Sequence, residues 1–405
     1  MRVTIHPGKA AGTLTAPPSK SMAHRLLICA GLSGGESVVC NLAFSKDVEA
    51  TIACLRALGA EVRLDGNTAY IKGTDVRRTL GDVAELPCNE CGSTLRFFIP
   101  LCLLSGEERR LTGTEYLMNR PLSVYEEIAR NQGLRFEKTA ASLTVQGRLN
   151  SGVYEVAGNI SSQFISGLMF ALPLLDGDSE IRLIPPVESR PYLDLTLSAL
   201  RDFGVEIAQC GDTYYIKGGQ HYAPADLTVE GDYSNAAFLE ALNIVGGKVT
   251  VEGLREDSLQ GDSAYKILFE NIKQGKSPID IADCPDLGPV LFAVAAYCGG
   301  AEFTGTRRLR IKESDRADAM RQELAKLGVR VTVGENTVTV HGGTLHAPEE
   351  PLSGHGDHRI VMALAVLLTV AGGTIDGAES VSKSYPDFFD RLSDLGVKLQ
   401  YGMDQ

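Results

Sequence analysis

Positive charge is in short supply in this chain: 39 lysines and arginines face 51 aspartates and glutamates, for a formal net charge of −12. General nucleic-acid binding needs a broad basic face, so that class is excluded. Small anionic ligands are not, since a few cations in a cleft bind them whatever the total charge. Long apolar runs are lacking too. The longest, IVMALAVLLTVAGG at 360–373, falls short of the roughly 20 residues that cross a bilayer. The opening MRVTIHPG has no signal-peptide pattern, so a cytoplasmic enzyme without a membrane partner is expected. The nine cysteines are odd in number and scattered, which suits a reducing compartment. Cys88 and Cys91 make a C-x-x-C pair, but no second pair completes four zinc ligands. Two ordinary thiols are expected there, and no metal. The remaining composition, 44% hydrophobic and 22% charged over 405 residues, is that of a soluble globular protein long enough for two domains.

What is present is a repeat. Six apolar stretches of helical length end near glycine: RLLICAGLSGG from Arg25, RFFIPLCLLSG from Arg96 and FISGLMFALPLLDG from Phe164, then AAFLEALNIVGG from Ala236, VLFAVAAYCGG from Val290 and IVMALAVLLTVAGG from Ile360. Their starts are 71, 68, 72, 54 and 70 residues apart. Apolar nearly all round, these helices are expected to be buried, with glycine at the C-cap. Each is followed by a short strand, a polar loop and an amphipathic helix. That helix ends in phrases such as ALGAEVRL or KLGVRVTV, where the apolar period changes from 3.6 to 2. Most copies add a second strand. The predicted unit is helix, strand, helix, strand, strand. Six of them make an α/β protein of two domains with three units each. The fourth, after KILFENIKQGKSP, lacks the strand pair.

Chemistry gathers ahead of the buried helices, in PPSKSMAHR, NECGSTLR, GNISSQF, VEGDYSNA, DCPDLGP and SGHGDHR. Ser, Thr, Asn, Asp and Gly there cap helix starts. Capping does not explain Lys20, Arg25, Arg96, Gln163 or Arg359, because positive charge at a helix N-terminus opposes the macrodipole. An anion at the same place resolves the conflict, held by free N–H groups, dipole and cation together. The loops after the strands add Asp47, Arg120, Ser189, Lys312, Glu313, Asp315, Arg316 and Lys383. A cationic cleft for small substrates with several phosphates or carboxylates is expected.

In their order along nearly the whole chain, PPSKSMAHRLL, CGSTLR, NRP, SSQF, VEGD, PDLGP, KESDR, GDHR and KSYPDFF resemble the EPSP synthase family of enolpyruvyl transferases. The resemblance implies a two-domain inverted α/β barrel with its active site in the interdomain cleft. Residues 1–13 plus 228–405 would form a discontinuous first domain, and 14–227 the second. It implies transfer of the enolpyruvyl group of phosphoenolpyruvate to the 5-hydroxyl of shikimate 3-phosphate, by a monomer with no metal or organic cofactor. By the same resemblance, phosphoenolpyruvate is bound by Lys20, Gly92, Arg120, Gln163, Arg316, Arg359 and Lys383. Shikimate 3-phosphate is bound by Lys20, Ser21, Arg25, Ser161, Ser162, Gln163, Ser189, Tyr192, Asp286 and Lys312. Glu313 is the implied general acid and Asp286 the base, with Lys20 an alternative proton carrier and Lys383 completing the catalytic set. Gly92 implies inhibition by glyphosate.

Three features depart from the pattern. Glu90 and Ser93 stand where relatives often have Asn and Thr, and Arg308 where they often have Asn. A carboxylate at position 90 is tolerable only if it points away from the anion. The blander expectations are that His24 packs behind the site and that Asp47 and Asp315 partner its cations. Arg96 either anchors the cleft or braces its helix. His355 and His358 are expected to be parts of a cap, since a third metal ligand at sensible spacing is lacking. The sister transferases acting on UDP-N-acetylglucosamine usually carry a reactive Cys on a mobile loop. TGTEYLMNRP has none, and that reading is set aside.

Overall fold

The computed structural model describes residues 1–79 and 83–402. In chain order the elements are β1 (Arg2–Ile5), β2 (Ala11–Thr15), α1 (Lys20–Leu32), β3 (Glu36–Cys40), α2 (Lys46–Ala57), β4 (Glu61–Asp65), β5 (Thr68–Lys72), β6 (Ala84–Asn89), α3 (Gly92–Cys102), β7 (Arg109–Gly113), α4 (Glu115–Asn119), α5 (Ser123–Gln132), β8 (Arg135–Lys138) and β9 (Ser142–Gln146). They continue with β10 (Val153–Ala157), α6 (Ser162–Ala171), β11 (Ser179–Ile184), α7 (Arg190–Asp202), β12 (Ile207–Cys210), β13 (Thr213–Ile216), β14 (Asp226–Thr228), α8 (Tyr233–Ile244), β15 (Lys248–Glu252), α9 (Tyr265–Lys273) and β16 (Ile279–Asp280). The last are α10 (Gly288–Cys298), β17 (Gly300–Thr304), α11 (Arg316–Lys326), β18 (Val331–Val333), β19 (Thr337–His341), β20 (Leu352–Ser353), α12 (His358–Ala371), β21 (Gly373–Asp376), α13 (Phe388–Asp394) and β22 (Leu399–Gly402).

The chain forms two compact units, Met1–Pro17 with Gly231–Gln405, and Pro18–Glu230. The passages between them fall at 17/18 and 230/231, a few residues beyond the boundaries read from the sequence. Pairing explains the offset. β2 runs parallel to β15 through Leu14↔Val251 and Thr15↔Glu252, so residues 14 and 15 stay with the first unit. β14 pairs with β3 through Thr228↔Cys40, so Thr228 stays with the second.

Each copy has one strand more than the periodicity shows. A leading strand precedes the buried helix, and the helix connects it to a parallel neighbour, as in β10–α6–β11 with Val153↔Glu180. The third and fourth strands add antiparallel, giving orders such as β6-β7-β9-β8, β10-β11-β13-β12 and β16-β17-β19-β18. Two-residue strands such as β16 and β20 are too short to display a period of 2. The first and fourth copies exchange leading strands: β14 completes β3-β5-β4, and β2 pairs with β15. The sixth copy takes its fourth strand from the N-terminus, in the order β20-β21-β1-β22. The fourth copy, lacking its strand pair, has a two-stranded sheet.

The buried helices carry the cores. α1, α3 and α6 belong to one apolar cluster, and α8, α10 and α12 to the other. Phe97 of α3 meets Phe170 of α6 edge-on at 5.4 Å between centroids. Gly167 makes the approach possible, since a Cβ there would stand 2.6 Å from the Arg96 carbonyl oxygen, well inside van der Waals contact. Among the described residues no helix is long and apolar enough to cross a membrane.

Candidate active site

In the unit Pro18–Glu230 four helix starts converge. Ser19 caps α1 and Cys91 caps α3, each accepting a backbone N–H of its own first turn. Lys20 Nζ lies 2.8 Å from Asp47 Oδ2 at the start of α2. At the start of α6, Gln163 Oε1 accepts from Arg96 Nη1 of α3 at 2.8 Å. Arg96 also donates to Pro121 O and lies over the Phe164 ring, so it both braces α3 and reaches the site. Gly92 is the first residue of α3. A Cβ there would overlap Arg120 Nη1 and stand 2.9 Å from Arg96 Nη1. The glycine therefore makes room for two guanidinium groups. The turn before it is strained: Asn89 has φ 54 and the β6–β7 register shifts between Pro87 and Asn89, conformations that gather at functional sites. Glu90 is exposed, as an anion site beside it requires.

Arg25 is buried and donates to Ser21 O, Tyr192 O and Thr196 Oγ1 at 2.7–2.8 Å. Burial lowers its pKa to about 10, still charged at neutral pH. Two of its five N–H groups thus tie α1 to α7 and a third bonds back within α1, so it braces the helices carrying Ser21 and Tyr192. Ser161 caps α6, Ser162 follows it buried, and Ser189 stands before α7 in the left-handed region at φ 58 without capping it. His24 is buried beneath Lys20. Burial, with Lys20 and Arg25 adding to it and Asp47 opposing, pushes its pKa down to about 3, so the ring is neutral.

In the other unit the starts of α8, α10, α11 and α12 converge on a carboxylate. Asp286 lies in the turn Pro285–Leu287 ahead of α10. Its Oδ1 accepts from Arg316 Nη1 at 2.7 Å and sits 3.1 Å from Lys312 Nζ, while Oδ2 accepts from Arg359 Nη2 at 3.0 Å. Burial pushes this carboxyl up, but Arg359, Lys312 and Arg316 outweigh it and hold the pKa well below the ordinary range. Burial lowers Lys312 to about 8 against the pull of Asp286, with Arg308 and Arg316 acting in the same direction as burial.

Arg316 is deeply engaged by the chain's own carboxylates. Besides Asp286 it donates to Glu313 Oε2 at 2.6 Å and to Asp357 Oδ2 at 2.8 Å. Its side chain is 1% exposed. It is the keystone that gathers three carboxylates. Lys383 Nζ donates to Gly356 O at 2.8 Å, beside the α12 cap. His355 Nε2 lies 2.7 Å from Glu323 Oε1 and holds the same loop.

Sequence reasoning marked the loop carrying Asp262 but gave no site role to Asp357, Ser234 or Asp262. Asp357 caps α12, accepting from Arg359 N, and binds Arg316. Ser234 Oγ accepts from Arg359 Nη1. Asp262 is buried, and burial with the charge of Asp286 raises it to about 6 although Arg359 and Ser234 pull it down. Asp357 stood in the quoted SGHGDHR, where N-capping was reason enough for an Asp. Only the position of Arg316 shows its second task.

Among the described residues, six sheets built on one repeat, with cation-rich helix starts gathered in each unit, define the enolpyruvyl transferase fold. A solved EPSP synthase from Acinetobacter baumannii shares it at a TM-score of 0.79 and 21% identity, over 99% of this chain and 100% of that one. The enolpyruvyl transferase NikO from Streptomyces tendae shares it at 0.76 and 16%, over 98% of each chain. Sequence similarity goes further. A 3-phosphoshikimate 1-carboxyvinyltransferase of Clostridium kluyveri is 40% identical over a 426-residue alignment covering 98% of both chains. One from Clostridium botulinum (strain Alaska E43) is 39% identical over 97% of this chain and 96% of its own. The family model for EPSP synthase (3-phosphoshikimate 1-carboxyvinyltransferase) matches residues 5–392. The chain belongs to the EPSP synthase family and is a transferase.

Proposed function

We propose that the two residue sets serve one substrate pair, transferring the enolpyruvyl group of phosphoenolpyruvate to the 5-hydroxyl of shikimate 3-phosphate and releasing phosphate. The observation that carries this reading is Asp286, a carboxylate held by three cations at the end of four converging helices. Asp286 balances Arg359 and Lys312 until substrate anions take them. Once those cations turn to substrate, the carboxylate's pKa rises, and it accepts the proton of the attacking hydroxyl. Glu313, with 22% of its side chain exposed, supplies the proton to the methylene carbon of phosphoenolpyruvate. Lys20, Arg120, Gln163 and Lys383 bind the phosphate of phosphoenolpyruvate, and Arg316 and Arg359 its carboxylate. Ser161, Ser162 and Ser189 hold the sugar-like phosphate with Ser21, Arg25 and Tyr192. As the tetrahedral intermediate collapses, the same cations stabilise the departing phosphate. Every residue named comes from one copy of the chain, and we place the enzyme in the cytoplasm.

The test is phosphate release from phosphoenolpyruvate, with shikimate 3-phosphate and UDP-N-acetylglucosamine offered separately. Release with shikimate 3-phosphate alone supports the reading. Release only with the nucleotide sugar refutes it.

Two further outcomes are expected. Gly92→Ala displaces Arg120, so KM for phosphoenolpyruvate and the inhibition constant for glyphosate each rise about tenfold or more, the scale of 1.4 kcal/mol. Steady-state kinetics check both. Affinity for shikimate 3-phosphate falls as pH rises through about 8, where Lys312 loses its proton. In the unfolded chain the lysine keeps its proton to about pH 10.4. Between those values the unfolded state binds more protons, so this group's contribution to stability rises with pH and unfolding does not account for the loss. Lys312→Arg moves the alkaline limb upward, since a guanidinium stays charged.

A further inference from the structure

His24, Asp47 and Cys91 come from three separate segments, and all three are buried. One ligand atom of each lies within 4.8 Å of the others. Hydrogen bonding orients them. Thr94 Oγ1 donates to Cys91 Sγ at 3.0 Å, which uses its only proton. The 2.8 Å bond between Thr51 and Thr94 must then be donated by Thr51. Thr51 Oγ1, 2.6 Å from His24 Nδ1, is left only to accept. His24 therefore carries its proton on Nδ1. Its Nε2 lone pair faces Cys91 Sγ at 4.0 Å and Ser93 Oγ at 3.4 Å. A histidine that donates through one nitrogen to a fixed oxygen and offers the other beside a sulfur is arranged as metal-binding histidines are. Tetrahedral zinc, with bonds of about 2.3 Å to sulfur and 2.0 Å to nitrogen, needs that S–N gap to close by only a few tenths of an ångström.

We propose that His24, Asp47 and Cys91 form a binding site for a borderline-soft divalent cation such as Zn²⁺, with Ser93 or a water as the fourth ligand. Binding releases the Cys91 thiol proton to solvent. Thiolate and carboxylate then balance the two positive charges, and the neutral imidazole completes the set. The cation takes Asp47 from Lys20, whose Nζ is 2.8 Å away. Occupancy therefore inhibits the enzyme. The inhibition rests on the role proposed for Lys20, whereas the binding does not.

The test is titration of the intact protein with Co²⁺, followed by its thiolate charge-transfer and visible absorption. One tetrahedral, sulfur-ligated ion per chain is expected. It must persist in Cys210→Ser, which removes the exposed thiol, and vanish in Cys91→Ser, where serine still caps α3. Thr51→Val, which removes no ligand but frees the His24 ring and breaks the Thr51–Thr94 bond, weakens binding by about 10–100-fold. It serves as the second variant if Cys91→Ser misfolds. Zn²⁺ inhibits the wild type and spares Cys91→Ser. An absent sulfur band, or one that survives both Cys91→Ser and Thr51→Val unchanged, overturns the site. A band without inhibition overturns the coupling to Lys20 and leaves the assigned reaction untouched.

Discussion

Asp286→Asn lowers kcat by roughly 10²–10⁴-fold, the range general-base removal produces, while KM for phosphoenolpyruvate does not rise. The split follows from the geometry. Asparagine keeps the shape but accepts no proton. It also withdraws the negative charge that engages Arg316 and Arg359 by hydrogen bonds and Lys312 across 3.1 Å. Those cations meet substrate anions with one competitor fewer. A base elsewhere, such as Lys20, would leave kcat within a few-fold of wild type. A merely structural Asp286 would raise KM along with the loss in kcat. Steady-state kinetics under saturating shikimate 3-phosphate, with circular dichroism to confirm folding, distinguish the three.

Arg316→Met destabilises the protein by about 3–5 kcal/mol at neutral pH, the scale for removing one partner from a buried ion pair. It leaves Asp286, Glu313 and Asp357 gathered without the guanidinium that joins them. The pH dependence follows from the sign of the shift. A carboxylate such as Asp286, held below its unfolded value, contributes stability above about pH 4 and loses it as pH falls through the native pKa. In the variant the share that Arg316 adds to Arg359 and Lys312 is gone. Its deficit is therefore largest at neutral pH and shrinks toward acid as Asp286 protonates. Urea unfolding of both proteins at pH 7 and below about pH 3 measures it. A deficit that grows toward acid would sink the explanation.

Several of these residues look alike in sequence and differ in place. Arg25 and Arg359 both follow a polar helix start. Arg25 spends its bonds on Tyr192, Thr196 and Ser21, whereas Arg359 reaches Asp286 and Ser234. Nothing within a few residues of either tells which partners it takes. Asp357 and Asp232 both cap helices through their side chains. Only Asp357 also receives Arg316, which lies 41 residues earlier in the chain.

The sequence by itself determined the repeat, the burial of the six apolar helices, the shortened fourth copy and the polar, cation-bearing character of the helix starts. These are local properties, written in apolar period, in glycine position and in charge that opposes a helix dipole. Tertiary structure decided the rest. It exchanged the leading strands of the first and fourth copies, because pairing partners far apart in sequence leave no local mark. It set Arg120 over Gly92 and gave Arg316 three carboxylates. It also aimed the His24 ring at Cys91 through Thr51 and Thr94. Each of these depends on distances between segments that the helix packing sets, and no single segment contains them.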